Sequence, residues 1–417
     1  MEILKFLTAG SVDDGKSTLI GRLLYDSESI LLDQLEALQS SNRKNDDGTI
    51  DLAILTDGLK AEREQGITID VAYKYFQTEK RKFIIADTPG HTQYTRNMVT
   101  GASNANLAII LVDARKGVIE QTIRHSFLVS LLGLPQVVVC INKMDMVDFS
   151  EEVYNDIVKK YKELAAKVGL KNVTYIPVSA LKGDNIVNKS LNIGWYEGKS
   201  LLDFLETVEI AVDDAVAHAR FPVQWVVRPQ TDDLHDYRGY AGRISSGSFR
   251  VNDKVTVLPS GFSSTVSKIE MFDKEPEEAF AGMSVTVHLK DNIDISRGDI
   301  LVNSNYQPQL SQLIEADLCW MDTRALDTSH TYFIQHNSKV TRCRIQEILH
   351  KVNINTLDKE YDHEDFKLND IGRIIIKTAD PLAFDPYQVN KANGGAIIID
   401  SRTNVTVGAL MLRATAD

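Results

Sequence analysis

The sequence predicts an α/β domain with a mostly parallel sheet over residues 1–215, followed by two β-barrel domains over residues 216–305 and 306–417. In the first part, short apolar runs alternate with segments of helical periodicity, which is typical of a sheet covered by helices on both faces. After about residue 215 the helical period fades. Short β-type runs separated by Gly, Asn and Asp then take over, as in barrels. A polar seam at residues 303–308 divides this second part.

The elements of the α/β domain can be placed in order along the chain. The predicted strands are the apolar runs Ile3–Ala9, Val71–Phe76, Phe83–Ala86, Leu107–Asp113, Val137–Asn142 and Val173–Val178. Helical periodicity is clearest over Glu120–Leu132 and Glu151–Val168. Residues 26–66 are polar, and we interpret them as a mobile switch insertion. Ligands of such sheets bind at the carboxyl ends of the strands, where the polar motifs of this chain occur.

Composition narrows the classes of function. The 417 residues are 43% hydrophobic and 25% charged, as in ordinary globular proteins, and the net charge of −12 disfavours a nucleic-acid partner. Cys140, Cys319 and Cys343 lack metal-ligand spacing and fit a reducing cytoplasm, with Cys140 in a strand core. There is no signal peptide and no run long enough to span a bilayer, so we expect no membrane association.

A phosphate-binding loop (P-loop) follows the first predicted strand. It consists of Gly10, Ser11, Val12, Asp13, Asp14, Gly15, Lys16 and Ser17. The two glycines let successive backbone N–H groups turn inward on one anion, and the next helix presents its positive end to the same phosphates. Lys16 adds a charge for the β- and γ-phosphates, and the Ser17 hydroxyl is a ligand for Mg²⁺. The loop predicts a nucleotide site.

A second motif follows the strand at 83–86. It reads Asp87, Thr88, Pro89, Gly90 and His91. A carboxylate at a strand end can hold Mg²⁺ through water, and a glycine amide can meet the γ-phosphate, so that hydrolysis would release the segment. His91 is then placed to orient the attacking water, which makes it the predicted catalytic residue.

Two further motifs predict that the base is guanine. Asn142, Lys143, Met144 and Asp145 end an apolar strand, and the Asp145 carboxylate can accept from the N1–H and amine of guanine. Adenine offers no such donor pair and would leave that carboxylate unpaired. Ser179, Ala180 and Leu181 close the last strand and can supply a backbone amide to the guanine oxygen. Upstream, Thr68 would complete Mg²⁺ coordination, with Gly66 as a hinge.

Together these motifs resemble the translation-factor superfamily of GTPases, in which a GTP-binding domain precedes two β-barrels as in elongation factor Tu. Two functions in that superfamily compete: a carrier of aminoacyl-tRNA resembling elongation factor Tu, and the GTPase subunit of heteromeric sulfate adenylyltransferase. Asp13-Asp14 stands where translation factors usually carry Asp-His, and Ser17 where they usually carry Thr. Several stretches resemble the sulfate-activation family, among them Gly21–Ser27, Thr56–Arg63, Ala72–Phe76, Gln93–Met98, Leu111–Gly117, Phe221–Gln224, Tyr237–Gly242, Ile293–Asp299, Trp320–Asp322 and Leu368–Arg373.

The resemblance implies a GTPase that does not complete the chemistry alone. In that family a separate catalytic subunit joins ATP and sulfate into adenosine 5′-phosphosulfate and pyrophosphate, and GTP hydrolysis drives this uphill step. We therefore expect GTP and Mg²⁺ as cofactors, a catalytic partner subunit and a cytoplasmic location. No second P-loop precedes Asp417, so we expect no fused kinase activity. A GTP-binding regulator that has lost hydrolysis is a third possibility.

Overall fold

A computed structural model describes residues 2–27, 52, 71–89, 95–103, 105–209, 218–229, 237–361 and 365–416. The chain divides into two compact units, one of residues 1–211 with 353–358 and one of residues 212–352 with 359–417. Most of the predicted switch insertion, 26–66, lies outside the described residues. Within the described part of the chain, none of the helices combines the length and apolarity needed to cross a membrane.

A six-stranded sheet is the centre of the first unit. Its strands are β1 (Ile3–Ala9), β2 (Ala72–Gln77), β3 (Lys82–Asp87), β4 (Leu107–Asp113), β5 (Gln136–Asn142) and β6 (Val173–Pro177). They lie in the order β2-β3-β1-β4-β5-β6; β2 pairs with β3 in antiparallel fashion, and the other pairs are parallel. The predicted, mostly parallel sheet is confirmed. Every residue of β4 is buried, as expected of a central strand covered on both faces.

The helices of this unit are α1 (Lys16–Asp26), α2 (Thr95–Ala102), α3 (Glu120–Leu131), α4 (Glu151–Val168) and α5 (Leu201–Thr207), with a 3₁₀ turn at Met144–Val147. Local chemistry explains the bounds of α4. The Ser150 side chain accepts a hydrogen bond from the Val153 N–H at its start, and Gly169, at φ 81°, ends it. Ile157, Tyr161 and Leu164 recur at helical spacing and bury one face of the helix.

The second unit contains two β-structures in sequence. Its first strands are β7 (Arg220–Val227), β8 (Gly239–Arg243), β9 (Ser248–Arg250), β10 (Lys254–Leu258), β11 (Ser263–Glu270), β12 (Glu278–Phe280), β13 (Ser284–Leu289) and β14 (Ile300–Asn303). Six of them close a barrel in the order β10-β11-β13-β8-β7-β14, and β12 pairs with β9 beside it. Alternate residues of β11 and β13 point into the barrel core, which explains the period-two pattern in the sequence.

The remaining strands form a second, seven-stranded sheet. They are β15 (Gln309–Trp320), β16 (Tyr332–His336), β17 (Lys339–Val352), β18 (Lys359–Glu360), β19 (Ile371–Phe384), β20 (Gly395–Asp400) and β21 (Thr406–Thr415). The short helix α6 (Lys391–Gly394) lies between β19 and β20 in the sequence. The strand order is β16-β20-β21-β15-β19-β17-β18, and a pairing of β16 with β17 closes six of these strands on themselves. The predicted barrel architecture is confirmed.

A buried ion pair joins these two β-structures. Arg220 of β7 is fully buried, and its Nε and one terminal nitrogen donate to the two carboxylate oxygens of Asp385, each at 2.9 Å. The other terminal nitrogen donates to the Tyr306 carbonyl at 2.8 Å. Leu258 and Ala383 belong to a small apolar cluster that also crosses from one β-structure to the other. The second unit is therefore held together by both polar and apolar contacts.

Candidate nucleotide-binding site

The predicted motifs meet at the carboxyl edge of the sheet in the first unit. Thr8 of β1 pairs in register with Asp87 of β3, and Asp113 of β4 pairs in register with Asn142 of β5. The sheet therefore brings motifs that are far apart in sequence to neighbouring strand ends, as expected for a parallel sheet.

The P-loop connects β1 to α1 and has the backbone that its glycines predict. Gly15 has φ +93°, and a Cβ there would lie 2.4 Å from the Asn142 Nδ2 atom. Asp13 also takes a left-handed conformation, with φ 69°, and the Ser11 N–H donates to the Asp14 carboxylate at 2.7 Å. Val12 is half-buried in the same loop. At position 15, only glycine can adopt the positive φ and also leave room for the Asn142 amide.

Two charged residues of this loop, Lys16 and Asp14, are buried. The Lys16 ammonium donates to the Gly10 carbonyl at 3.0 Å. Burial lowers the pKa of Lys16, and the Asp87, Asp14 and Asp13 carboxylates oppose that shift. Burial likewise raises the pKa of Asp14, against the hydrogen bond from Ser11 and the charge of Lys16. The loop thus holds a desolvated cation, which attracts phosphate more strongly than a solvated one.

Asp87 and Thr88 are fixed against β1. The Thr8 hydroxyl donates to the Asp87 carboxylate at 3.3 Å, and the Thr88 hydroxyl donates to the Thr8 carbonyl at 2.6 Å. Both residues are buried, as is Pro89. Ser17 lies on the first turn of α1, and its hydroxyl and the Asp87 carboxylate are hard oxygen donors of the kind that Mg²⁺ prefers, so their chemistry is compatible with the predicted ligand set. Gly90, His91 and Thr68, the remaining predicted residues, lie outside the described residues.

Asn142 connects the predicted phosphate-binding loop to the segment that is predicted to meet the base. Its Nδ2 donates to the Asp14 carbonyl at 2.8 Å, and its Oδ1 accepts from the Ala180 N–H at 2.9 Å. Asn142 and Ala180 are each 1% exposed, so water cannot readily replace either bond. One side chain therefore fixes the spacing between the P-loop and the segment Ser179–Leu181, here called the guanine loop.

The guanine loop and the 142–145 motif are also joined directly. The Ser179 hydroxyl donates to the Asp145 carboxylate at 2.6 Å, and the Met144 N–H donates to the Val178 carbonyl at 3.2 Å. Met144 is buried, whereas Asp145 stays accessible to a ligand. Sequence reasoning predicted these neighbours, and the structure brings them together.

Lys143 is held by a group that the sequence analysis did not single out. Its ammonium lies 3.1 Å from the Asp113 carboxylate and also donates to the Asp13 carbonyl. Arg115 donates two hydrogen bonds to the same carboxylate, from Nε at 3.0 Å and from a terminal nitrogen at 2.6 Å. Burial opposes ionisation of Asp113, but the hydrogen bonds from Arg115 and Lys143 outweigh it and hold its pKa below the usual range. A buried Asp at the end of an otherwise apolar strand was the available signal.

His125 of α3 is a second residue that sequence reasoning missed. It is 4% exposed, and burial lowers its pKa to about 3, with smaller contributions from the Lys16 and Arg124 charges. It is therefore a neutral imidazole at neutral pH. Its position in an amphipathic helix gave no indication that the Lys16 charge would disfavour its protonation.

Three family models match successive parts of the chain. The model described as elongation factor Tu GTP binding domain matches residues 1–214. Elongation factor Tu domain 2 matches residues 240–302, and GTP-eEF1A C-terminal domain-like matches residues 313–413. The matched order is that of the α/β unit followed by the two β-structures.

Several curated proteins are similar along nearly the whole chain. Sulfate adenylyltransferase subunit 1 of Bacteroides fragilis is 55% identical over 99% of this chain and 86% of that protein. The protein of the same name from Aeromonas hydrophila is 52% identical over 98% of this chain and 86% of its own length. The bifunctional enzyme CysN/CysC of Mycobacterium tuberculosis is 49% identical over 98% of this chain and 67% of its own length.

Proposed function

The chain belongs to the sulfate adenylyltransferase subunit 1 family, with an elongation-factor-Tu-type GTP-binding domain, and on that basis we propose that it is the GTP-hydrolysing subunit of a sulfate adenylyltransferase. In this proposal a separate catalytic subunit forms adenosine 5′-phosphosulfate and pyrophosphate from ATP and sulfate. GTP hydrolysis on this chain drives that reaction forward. The observation that carries the proposal is near-full-length similarity to relatives of that name; the hydrogen bonds by which Asn142 joins the P-loop to the segment Ser179–Leu181 support it.

The site residues take the following roles in the proposal. Gly10–Ser17 bind the phosphates, with the buried Lys16 ammonium as the fixed charge. Asp145 and the guanine loop bind the base. Ser17, Thr68 and Asp87 hold Mg²⁺, which when bound supplies charge neutralisation at the phosphates. His91 orients water at the γ-phosphate.

Coupling between the subunits requires differential affinity. A partner that binds the GTP and GDP forms equally well cannot draw work from hydrolysis, so it has to distinguish their conformations. We propose that the segment 26–66 and the loop after Asp87 carry that difference. We also propose the cytoplasm as location, since the described cysteines Cys140, Cys319 and Cys343 are all free thiols. The domain bounds 1–215, 216–305 and 306–417 stay a proposal.

One assay tests the function as a whole. The chain is purified with its candidate catalytic subunit, and sulfate-dependent pyrophosphate release from ATP is followed with GTP, with GDP and without guanine nucleotide. We expect release to rise with GTP alone. A stable complex that releases pyrophosphate at the same rate with and without GTP would overturn the assignment.

The alternative function, a carrier of aminoacyl-tRNA, is supported only by similarity of fold. A GTP-dependent mobility shift of aminoacyl-tRNA by this chain would be needed to support it.

A second assay tests the catalytic role of His91. Single-turnover GTP hydrolysis is compared between the native chain and His91→Ala. We expect a loss of about 100-fold in rate, the usual contribution of a group that positions or activates water. GTP affinity, measured in parallel, should stay unchanged. Equal hydrolysis rates would show that His91 is idle.

A further inference from the structure

Arg22 of α1 binds the backbone of the guanine loop from the side. Its Nε donates to the Ala180 carbonyl at 3.2 Å, and a terminal nitrogen donates to the Leu181 carbonyl at 2.5 Å. The Arg22 side chain is 18% exposed, and its remaining terminal nitrogen lies 3.4 Å from the Asp26 carboxylate one turn along the helix. The stretch Gly21–Ser27 was identified in the sequence only as a family resemblance, and no nucleotide motif includes it.

Peptide geometry gives these contacts a consequence for the amides of the loop. In a trans peptide, the carbonyl of one residue and the N–H of the next point in opposite directions within one plane. By holding the Ala180 carbonyl, Arg22 therefore turns the Leu181 N–H away from itself. The planar guanidinium fork presents its donors to the two carbonyls in a fixed geometry, whereas a lysine ammonium is a point charge on a flexible stem and fixes their orientation less.

The Leu181 N–H is the donor that remains for a ligand. The Ala180 N–H already donates to Asn142, and the Lys182 N–H donates to the Ser179 hydroxyl at 3.2 Å. Within the part of the chain that the structure describes, the Leu181 N–H donates to no protein acceptor. An amide with a fixed direction and no partner is suited to a ligand acceptor, since a preorganised donor loses little freedom on binding.

Arg22 also provides a second connection between the two ends of the site. It follows Lys16 by six residues on the same helix, a rise of about 9 Å. The helix that begins at the P-loop therefore reaches the guanine loop independently of Asn142. The geometry of the loop is set from both sides.

We propose that Arg22 is a positioning residue for base recognition, which aims the Leu181 N–H at the 6-oxygen of guanine. The inference rests on the proposed GTP site and adds a residue that decides its base specificity. Arg22 itself does not touch the nucleotide in this proposal. It acts through the orientation of one peptide plane.

The test compares nucleotides that differ at the 6-oxygen. Competition against a fluorescent GDP analogue gives the affinities of GDP, of inosine diphosphate, which keeps the 6-oxygen, and of 2-aminopurine riboside diphosphate, which lacks both the 6-oxygen and the N1–H. Loss of the N1–H affects the native chain and the Arg22 variants alike, so the change in preference between them reports on the 6-oxygen. In Arg22→Ala we expect the preference for GDP over the 2-aminopurine nucleotide to fall by about ten-fold, the usual value of one well-placed hydrogen bond to a carbonyl acceptor. Affinity for inosine diphosphate should fall in parallel with that for GDP.

Two further variants separate positioning from a general loss of structure. Asp26→Asn removes the neighbouring ion pair but keeps both Arg22–carbonyl bonds, so its base preference should match the native chain. Arg22→Lys keeps the charge but loses the fork, and its preference should fall by a few-fold. If both Arg22 variants keep the native preference while binding all nucleotides more weakly, the positioning role is wrong. If the native chain fails to bind GDP, the proposed function itself is wrong.

Discussion

Replacing Asn142 by alanine tests whether one side chain joins phosphate recognition to base recognition. The change removes the bonds to the Asp14 carbonyl and the Ala180 N–H and leaves both groups buried without partners. Each such loss costs about 1–3 kcal/mol, so we expect the site to be destabilised by about 2–6 kcal/mol. Because every 1.4 kcal/mol is ten-fold, the lower limit of about 2 kcal/mol weakens GDP binding by about 30-fold when the whole loss appears in the bound state, and by about five-fold when half of it does.

The assay is dissociation of a fluorescent GDP analogue, read as rate and equilibrium constant. Asn185→Ala is a matched control, because Asn185 is also buried and also bridges two backbone groups, the Pro177 carbonyl at 3.0 Å and the Ser190 N–H at 2.8 Å. We expect that variant to lose thermal stability without a comparable loss of GDP affinity. If the two variants lose GDP affinity equally, Asn142 has no special place in the site.

Three other perturbations have defined outcomes. Gly15→Ala should abolish GTP binding in a filter assay, since a Cβ would meet the Asn142 amide at 2.4 Å in a backbone conformation that alanine avoids. His125→Asn should make the free energy of unfolding less dependent on pH between about pH 6.5 and pH 3. In this range His125 of the unmutated protein is protonated in the unfolded state but not in the folded state, so the free energy of unfolding falls by about 1.4 kcal/mol for each pH unit of acidification. Arg220→Met should destabilise the second unit in urea by about 3–5 kcal/mol, because it leaves the Asp385 carboxylate buried without its cation.

Two of these predictions have matched control variants. Gly261→Ala changes a glycine at φ +78° with open space around it, so it should leave GTP binding intact. Arg250→Met removes an arginine that is 68% exposed and pairs with Glu278, whose side chain is 38% exposed, so its cost should stay below about 1 kcal/mol. An unchanged pH dependence of the free energy of unfolding in His125→Asn, or equal costs for the two arginine variants, would contradict the corresponding argument.

The sequence predicted best those elements whose bounds are determined by residues within the same segment. The bounds of β1, β4 and α4 agree with the predicted ranges, because apolar strands and a capped amphipathic helix are specified by local residues. The P-loop and Asn142–Asp145 motifs could be predicted for the same reason: each is contiguous. The short strands after residue 215 were also recognisable, although their pairing order was not.

Contacts that depend on strand order could not be predicted in this way. Asp113 forms an ion pair with Lys143 only because β4 lies between β1 and β5 in the sheet. Arg22 reaches the guanine loop, 158 positions away, only because α1 packs near the end of β6. The low pKa of His125 depends on burial beside a cation from another element. In each case the side chain is ordinary in its own segment, and its role arises from neighbours that the fold supplies.

The buried ion pair of Arg220 and Asp385 makes the two β-structures of the second unit depend on each other for stability. The family models match them as separate segments, yet each contributes one half of a desolvated charge pair. A fragment cut in the turn between Asn303 and Gln309 would expose one unmatched ion and an apolar patch on each product. We therefore expect replacement of one β-structure by that of a relative to give a stable protein only when both Arg220 and Asp385 are retained, and we expect the two structures to unfold as one cooperative body.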